Sequence, residues 1–190
     1  EIKYRGRGPY HLRLLGEYQV LYALTVIDVC NALRSRGWDK LTDEAIDEGL
    51  SHAQWPGRLE LLRRGPDFIV VGAHNPQCVD ALMDSLAALY GDKKLIFLTG
   101  VLRDKDWQQM LRRALPLAKA FVVITPPSAR ALDENELAAW LNAQGVQAVP
   151  AKDTDDGVRR ALELAGEDDA ICSWGSLYFT GEVRRVLTEQ

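Results

Sequence analysis

Apolar residues follow two rhythms along this chain. Between residues 17 and 36 they fall on one helical stripe, with Val20, Ala23, Leu24 and Ile27 three or four apart. Gly37 stands where such a helix would stop. A second helix is predicted from Thr42 to about Ala53. Thr42 is its cap, and Asp43 and Glu44 occupy the first turn, where carboxylates suit the helix dipole. The sixteen residues before the first helix read as a short polar strand and a turn. Pro56 and Gly57 in "QWPGRLELLRRG" break the helical pattern, and a boundary between domains 1–54 and 55–190 is expected there.

From Phe68 onward the texture changes. Continuous apolar runs at 68–71, 94–98, 120–124, 146–149 and 170–173 alternate with helical patterns. The helices begin at Pro76, about Asp106, Glu134, Asp155 and near Tyr178. Runs this short, with no polar alternation, read as strands buried on both faces. A helix after each strand implies parallel pairing with right-handed crossovers. Asp133 is placed to cap the helix from 134, with Glu136 set to bond back as in a capping box, and Thr154 is placed to cap the next. Residues 59–62 read as an added antiparallel strand. The predicted fold is α/β: a doubly wound, mostly parallel, Rossmann-like sheet with helices on both faces, preceded by a small helical segment.

In such a sheet, ligands collect beyond the carboxyl ends of the strands. Four of those ends carry a notable polar segment: residues 72–76, "TGVLRDKDW" at 99–107, "TPPSAR" at 125–130 and "SWGSLYFTG" at 173–181. In the first, Asn75 is a natural N-cap and Pro76 a natural first helical residue. That leaves His74 unexplained. A histidine there can donate to a phosphate or carboxylate beside the N–H groups of a helix start, although a lone loop histidine is more often incidental. In the second segment, Asp106 reads as a helix cap. Lys105 can present an ammonium to an anionic substrate, with Asp104 holding it in place. Gly175 and Ser176 offer a close backbone approach and a hydroxyl at a helix start, a short anion site. Arg58, after the Pro-Gly turn, is an exposed linker charge or a phosphate ligand; spacing does not decide between them.

Composition narrows the function classes. The chain has 190 residues, 47% hydrophobic and 26% charged, enough for one full core and part of another without staples. A net charge of -4 argues against a nucleic-acid partner. No apolar run approaches the roughly 20 residues of a membrane span, and no secretory pattern opens the sequence, so a cytoplasmic location is expected. Cys30, Cys78 and Cys172 are widely spaced and read as reduced thiols. No Cys or His pair has ligand spacing, so no metal site is expected in these residues. Neither G-x-x-x-x-G-K-[ST] nor a G-x-G-x-x-G turn is present, so the chain lacks the usual triphosphate cradle and the dinucleotide fingerprint.

Taken in order, "WPGRLE", "GAHNP", "GVLRDKDW", "TPPSARAL" and "GSLYFTGEV" resemble the C-terminal domain of folylpolyglutamate synthase and its bifunctional dihydrofolate synthase relatives. These belong to the Mur ligase superfamily of ATP-dependent amide-forming ligases. The resemblance spans about residues 55 to 187. Upstream, "GEYQVLYALTVIDVCNAL" resembles the closing helical part of the family's ATPase domain. The resemblance implies that 1–54 is a remnant of that domain and 55–190 is the glutamate-binding domain. The triphosphate cradle would lie in the missing N-terminal ATPase domain, which would hold most of the ATP and Mg2+. The fragment alone would be inactive. In the implied reaction ATP phosphorylates a carboxylate on the folate or its glutamate tail, and the amine of L-glutamate attacks the acyl phosphate. The implied partners are ATP, folate, L-glutamate and the chain's own ATPase domain, in a monomer, with no nucleic acid or membrane.

Roles then follow residue by residue. Arg58 matches an arginine that reaches the nucleotide from the domain junction. His74, with Asn75 beside it, matches the histidine of a "DGAHNP" turn near the nucleotide and the reacting groups. Lys105 matches a lysine that faces the incoming amino acid's carboxylate, and Ser176 matches a residue of the same pocket, with Asp104 beside Lys105. The chain also departs from the family. Val71 stands where the family has an aspartate expected to bond the ribose hydroxyls. Tyr18 and Tyr22 stand where histidine and asparagine are usual, and Trp174 where a small or hydroxylated residue is commoner. A lost ribose bond would weaken nucleotide binding by about 1 to 3 kcal/mol. Two other readings stay open: a Mur-type ligase acting on a muramyl peptide precursor, and a non-catalytic homologue that has lost ATP use.

Overall fold

The computed structural model describes residues 1–189, which divide into two compact units that meet in sequence at Arg58 and Leu59. The unit boundary thus falls four residues after the break expected at 54.

The first unit is a hairpin and two helices. Strands β1 (Ile2–Tyr4) and β2 (Arg7–Tyr10) pair antiparallel, followed by α1 (Glu17–Arg34) and α2 (Asp43–His52). Two paired strands thus replace the single polar strand and turn expected here. Tyr10 is fully buried with Ile2, Ala23, Ile27, Ile46 and Leu50, so the hairpin closes a small core instead of trailing from it. Asp43 ties the unit together by accepting from Arg7 at 3.1 Å, Arg34 at 3.1 Å and the Tyr10 hydroxyl at 3.2 Å. As expected, Thr42 caps α2, its hydroxyl accepting from the Ala45 N–H. Tyr18 and Tyr22 lie on α1 in edge contact at 6.2 Å, and Tyr22 is exposed.

The second unit is an α/β sandwich. Its elements are β3 (Glu60–Arg63), β4 (Asp67–Val70), α3 (Pro76–Tyr90), β5 (Leu95–Thr99), α4 (Trp107–Ala114), β6 (Ala118–Val123), α5 (Glu134–Ala143), β7 (Ala148–Pro150), α6 (Thr154–Leu164), β8 (Ala170–Trp174) and α7 (Leu177–Thr188). The strand order is β3-β4-β8-β5-β6-β7, with β3 antiparallel to β4 and all other pairs parallel. The five apolar runs became the five parallel strands, each shifted by no more than two residues at either end. One row of residues crosses the sheet in register: Val70, Ser173, Leu98, Val122 and Val149. Side chains alternate between faces along a strand. Phe68, Val70, Ile96, Leu98, Val122, Ile124 and Ile171 therefore share one face, packed with Val158 and Ala161 of α6 and Phe179 and Val183 of α7. Phe97, Phe121 and Trp174 point to the other face and touch ring to ring at 5.3 and 6.0 Å. Each of these rings is fully buried, which stabilises the fold by about 1.5 to 3 kcal/mol per side chain. No helix among the described residues is long and apolar enough to cross a membrane.

Two expected caps differ. The N-cap of α6 is Asp153, which accepts from the Asp156 N–H, whereas Thr154 is already helical and its hydroxyl donates to Glu182 at 2.7 Å. Asp153 has the extended backbone that a cap needs, with φ of -158°. Asp133 does cap α5. Glu136, expected to bond back to it, instead pairs with Arg103 at 2.8 Å, so the capping box is only half formed.

Candidate functional site

Four strands that are neighbours in the sheet, β4, β8, β5 and β6, bring the four polar segments to one edge. The backbone binds these segments to one another. Val71 N–H donates to Ser173 O at 2.9 Å and Gly175 N–H to Ala73 O at 2.8 Å, joining the turn after β4 to the turn after β8. The Thr99 hydroxyl donates to Trp174 O at 2.9 Å, joining β5 to β8. Arg103 N–H donates to Arg130 O at 2.7 Å and Leu132 N–H to Val101 O at 2.9 Å, so the segments after β5 and β6 form a short antiparallel bridge at Leu102 and Ala131.

Gly175 is required where these segments meet. Its φ is +117°, and a Cβ there would lie 2.6 Å from Gly100 O and 2.7 Å from Thr99 Oγ1. This close approach delivers Ser176 to the start of α7. Ser176 is buried, and its hydroxyl accepts from the Tyr178 N–H at 3.2 Å. At the start of α3, Asn75 accepts from Cys78 N–H at 2.8 Å with Pro76 next, the helix start expected from the sequence.

His74 is half-buried, and its Nδ1 lies 3.0 Å from Gly72 O. A carbonyl only accepts, so Nδ1 carries the hydrogen. The neutral ring therefore keeps Nε2 as an acceptor and donates through it only when protonated. The sequence reading gave His74 a donor's role; the geometry adds an acceptor's.

The charged cluster is wired differently from the expectation. Asp104 does not hold Lys105. Its carboxylate pairs with Arg130 at 2.7 Å, because the bridge at Leu102 and Ala131 carries the Arg130 segment alongside. Arg130 also donates to the Tyr178 hydroxyl at 3.3 Å. Arg103 is taken by Glu136. Asp106 caps α4 as expected, accepting from Gln109 N–H at 3.2 Å. Lys105 remains half-buried, its N–H bonded to Leu102 O at 3.2 Å, and no carboxylate among the described residues pairs with its ammonium. Arg58 is exposed, its N–H donating to Trp55 O at 3.2 Å, and it is the last residue of the first unit. The edge of the second unit thus brings together His74, Asn75, Asp104, Lys105 and Ser176, and Arg58 belongs to the other unit. Arg130 and Tyr178 join the same edge. Both lie in polar segments visible in the sequence, but no local signal shows that they touch.

Two buried groups at this end of β8 have no hydrogen-bond partner among the described residues: Ser173 Oγ and Trp174 Nε1. Val71 is 4% exposed, continuing β4 into the turn.

Comparison with known proteins agrees with this architecture. The family model described as "Mur ligase, glutamate ligase domain" matches residues 57–177. Over 177 residues the chain is 28% identical to dihydrofolate synthase/folylpolyglutamate synthase of Bacillus subtilis (strain 168), covering 92% of this chain and 40% of that protein. The folylpolyglutamate synthase of Mycobacterium tuberculosis, solved with ADP and AMPPCP, superposes with a TM-score of 0.82 at 27% identity, covering 96% of this chain and 43% of that one. A bifunctional folylpolyglutamate synthase/dihydrofolate synthase solved with Mn, AMPPNP and L-glutamate bound superposes with a TM-score of 0.69 at 28% identity, covering 77% of this chain and 35% of that one. The chain spans about two fifths of the length of the Bacillus subtilis enzyme and of the folylpolyglutamate synthase of Lacticaseibacillus casei.

Proposed function

This chain belongs to the Mur ligase family through its glutamate ligase domain, and from that premise we propose that it is the amino-acid-binding part of an ATP-dependent ligase of the folylpolyglutamate synthase/dihydrofolate synthase type. Residues 59–190 would form the glutamate-binding domain and residues 1–58 the closing helical part of the ATPase domain. The parent protein works as a monomer in the cytoplasm.

The observation that carries this reading is Lys105. Of the three cations in and beside its segment, Arg103 and Arg130 are each neutralised by a carboxylate, and Lys105 is not. A half-buried ammonium beside the start of a helix suits a substrate carboxylate. Ser176 and the first turn of α7 supply a hydroxyl and N–H groups to the same amino acid, and Asp104 sets the chain beside Lys105 by holding Arg130. L-Glutamate would be gripped by its carboxylates, leaving its amine to attack the acyl phosphate; a C–N bond forms and phosphate departs. His74 would use its Nε2 lone pair to accept a hydrogen bond from that amine, or, when protonated, meet the phosphate. Asn75 holds the α3 start in place beside it, and Arg58 would reach the nucleotide. Most of this catalysis is positioning and charge stabilisation.

The nucleotide and its divalent ion would be held mainly by the upstream ATPase domain of the parent. No group of three or more His, Cys, Asp or Glu among the described residues could hold a metal.

The test uses the full-length parent, assayed for ATP-dependent addition of L-glutamate to folates, with a muramyl peptide acceptor run beside it. Lys105→Ala should raise the KM for L-glutamate by about 10- to 100-fold, the loss of a charge-assisted contact, and leave the KM for ATP close to its original value. Failure to add glutamate to any folate would remove the assignment, and turnover of the muramyl acceptor alone would replace it. Failure to bind ATP with the upstream domain present would favour the non-catalytic homologue.

A further inference from the structure

The amino-acid site proposed above needs two elements that come from distant parts of the chain, the Lys105 segment and the start of α7. Three contacts made by Arg130 link them. Its carbonyl accepts from Arg103 N–H at 2.7 Å, fastening its backbone to the segment that carries Lys105. Its guanidinium donates to Asp104, the neighbour of Lys105, at 2.7 Å. The same guanidinium donates to the hydroxyl of Tyr178, two residues beyond Ser176, at 3.3 Å. The planar fork of arginine can serve two partners at fixed angles, which a lysine cannot do.

We propose that Arg130 is a positioning residue for the amino-acid substrate: it spans Asp104 and Tyr178 and so sets the placement of Lys105 relative to Ser176. This rests on the reading of Lys105 as the carboxylate-binding cation. By engaging Asp104, Arg130 also keeps that carboxylate from neutralising Lys105, whose ammonium is left for a substrate.

The cluster is poorly placed to serve stability instead. The Arg130 and Asp104 side chains are 52% and 43% exposed, and an ion pair so solvated contributes little to folding. Tyr178 is half exposed and Ser176 is held by its own cap bond without Arg130. What the three contacts do is tie the Lys105 segment to the first turn of α7, beyond the Thr99–Trp174 bond at the strand ends.

The experiment is a kinetic cycle on the full-length parent, with KM for L-glutamate, KM for ATP, kcat and Tm measured for Arg130→Met, Arg130→Lys, Lys105→Ala and the Arg130→Met/Lys105→Ala double variant. Arg130→Met should raise the glutamate KM by about tenfold and leave the ATP KM within about twofold, a split that general loosening would not produce. Its Tm should stay within about 3 °C, as expected for a solvated pair. Arg130→Lys keeps the charge beside Asp104 and should recover part of the loss, ending at about threefold. In the Lys105→Ala background, Arg130→Met should add less than about twofold, because a residue acting through Lys105 has nothing left to position. The proposal is overturned if Arg130→Met keeps its full effect in that background, which would make Arg130 a direct ligand. It is also overturned if Arg130→Met leaves the glutamate KM unchanged while Lys105→Ala raises it, a result that keeps the reading of the site. An unchanged glutamate KM in Lys105→Ala removes that reading, and this proposal with it.

Discussion

Replacing Gly175 by alanine should be among the most damaging single-methyl changes in the second unit, and the structure separates its two causes. The first is conformational: at φ +117° an L side chain is strained, at a cost of about 1 to 3 kcal/mol. The second is steric. The new Cβ would stand 2.6 Å from the Gly100 carbonyl oxygen and 2.7 Å from Thr99 Oγ1, both parts of the backbone-bonded edge that cannot swing aside. Overpacking of this kind costs about 1 to 3 kcal/mol more. Two other glycines isolate the terms. Gly91 has φ of +59° and open space around its Cβ position, so Gly91→Ala carries strain alone. Gly100 needs no positive φ, but its Cβ would lie 2.6 Å from Ile124 O and 2.9 Å from Pro126, so Gly100→Ala carries the clash alone. With a urea m value of about 1 to 3 kcal/mol per M, Gly175→Ala should lower the midpoint by roughly 1 to 3 M, by more than either control. Urea unfolding of the three variants at constant m is the assay. A Gly175→Ala midpoint no lower than that of Gly91→Ala would refute the claim that the four segments are packed tightly against each other.

The remaining predictions concern buried carboxyl positions. At Asp156, burial alone would raise the carboxyl, but the Lys152 N–H and the Arg160 and Arg159 guanidinium groups outweigh it and hold it down at about 2. A depressed carboxylate stabilises above its unfolded pKa, near 3.9, and this contribution is lost as the pH falls through the folded value. Wild type should therefore exceed Asp156→Asn in stability at about pH 5 by about 1 to 2 kcal/mol, after allowing for the solvent that reaches both arginines, and the gap should close toward about pH 2. Denaturant titrations of both proteins at the two pH values check this; a gap independent of pH contradicts it. Val71→Asp, which restores the aspartate of the resembling family, puts a carboxylate at a position only 4% exposed. It should lower stability by about 1 to 3 kcal/mol where the new group finds no partner. Calorimetry with ATP on the full-length parent then decides the matter: tighter ATP binding without loss of stability would show that the parent does supply a partner for that carboxylate.

Much of the second unit is legible from local pattern alone. A run such as 94–98, apolar without alternation and too short for a helix, has few ways to bury itself except as an inner strand, and β5 is fully buried along its length. Asn75, Asp106 and Asp133 act as caps because capping depends on a side chain reaching an N–H two or three residues away. Even there the sequence is ambiguous where two capping residues are adjacent, and backbone geometry chose Asp153 over Thr154. The sequence alone places the polar segments at strand ends. It does not determine that β8 inserts between β4 and β5, because strand pairing is set by contacts between residues about a hundred positions apart. That insertion brings Gly175 against Gly100 and Tyr178 within reach of Arg130. The partner of Asp104 shows the same limit. Its sequence neighbour Lys105 is the obvious local choice, but the bridge between Leu102 and Ala131 delivers Arg130 from 26 residues away, and a guanidinium fork at 2.7 Å takes the carboxylate. Residue types and helix starts were decided by chemistry within a few residues. Which charges are neutralised, and which one is left without a carboxylate partner among the described residues, was decided by the tertiary packing of the edge.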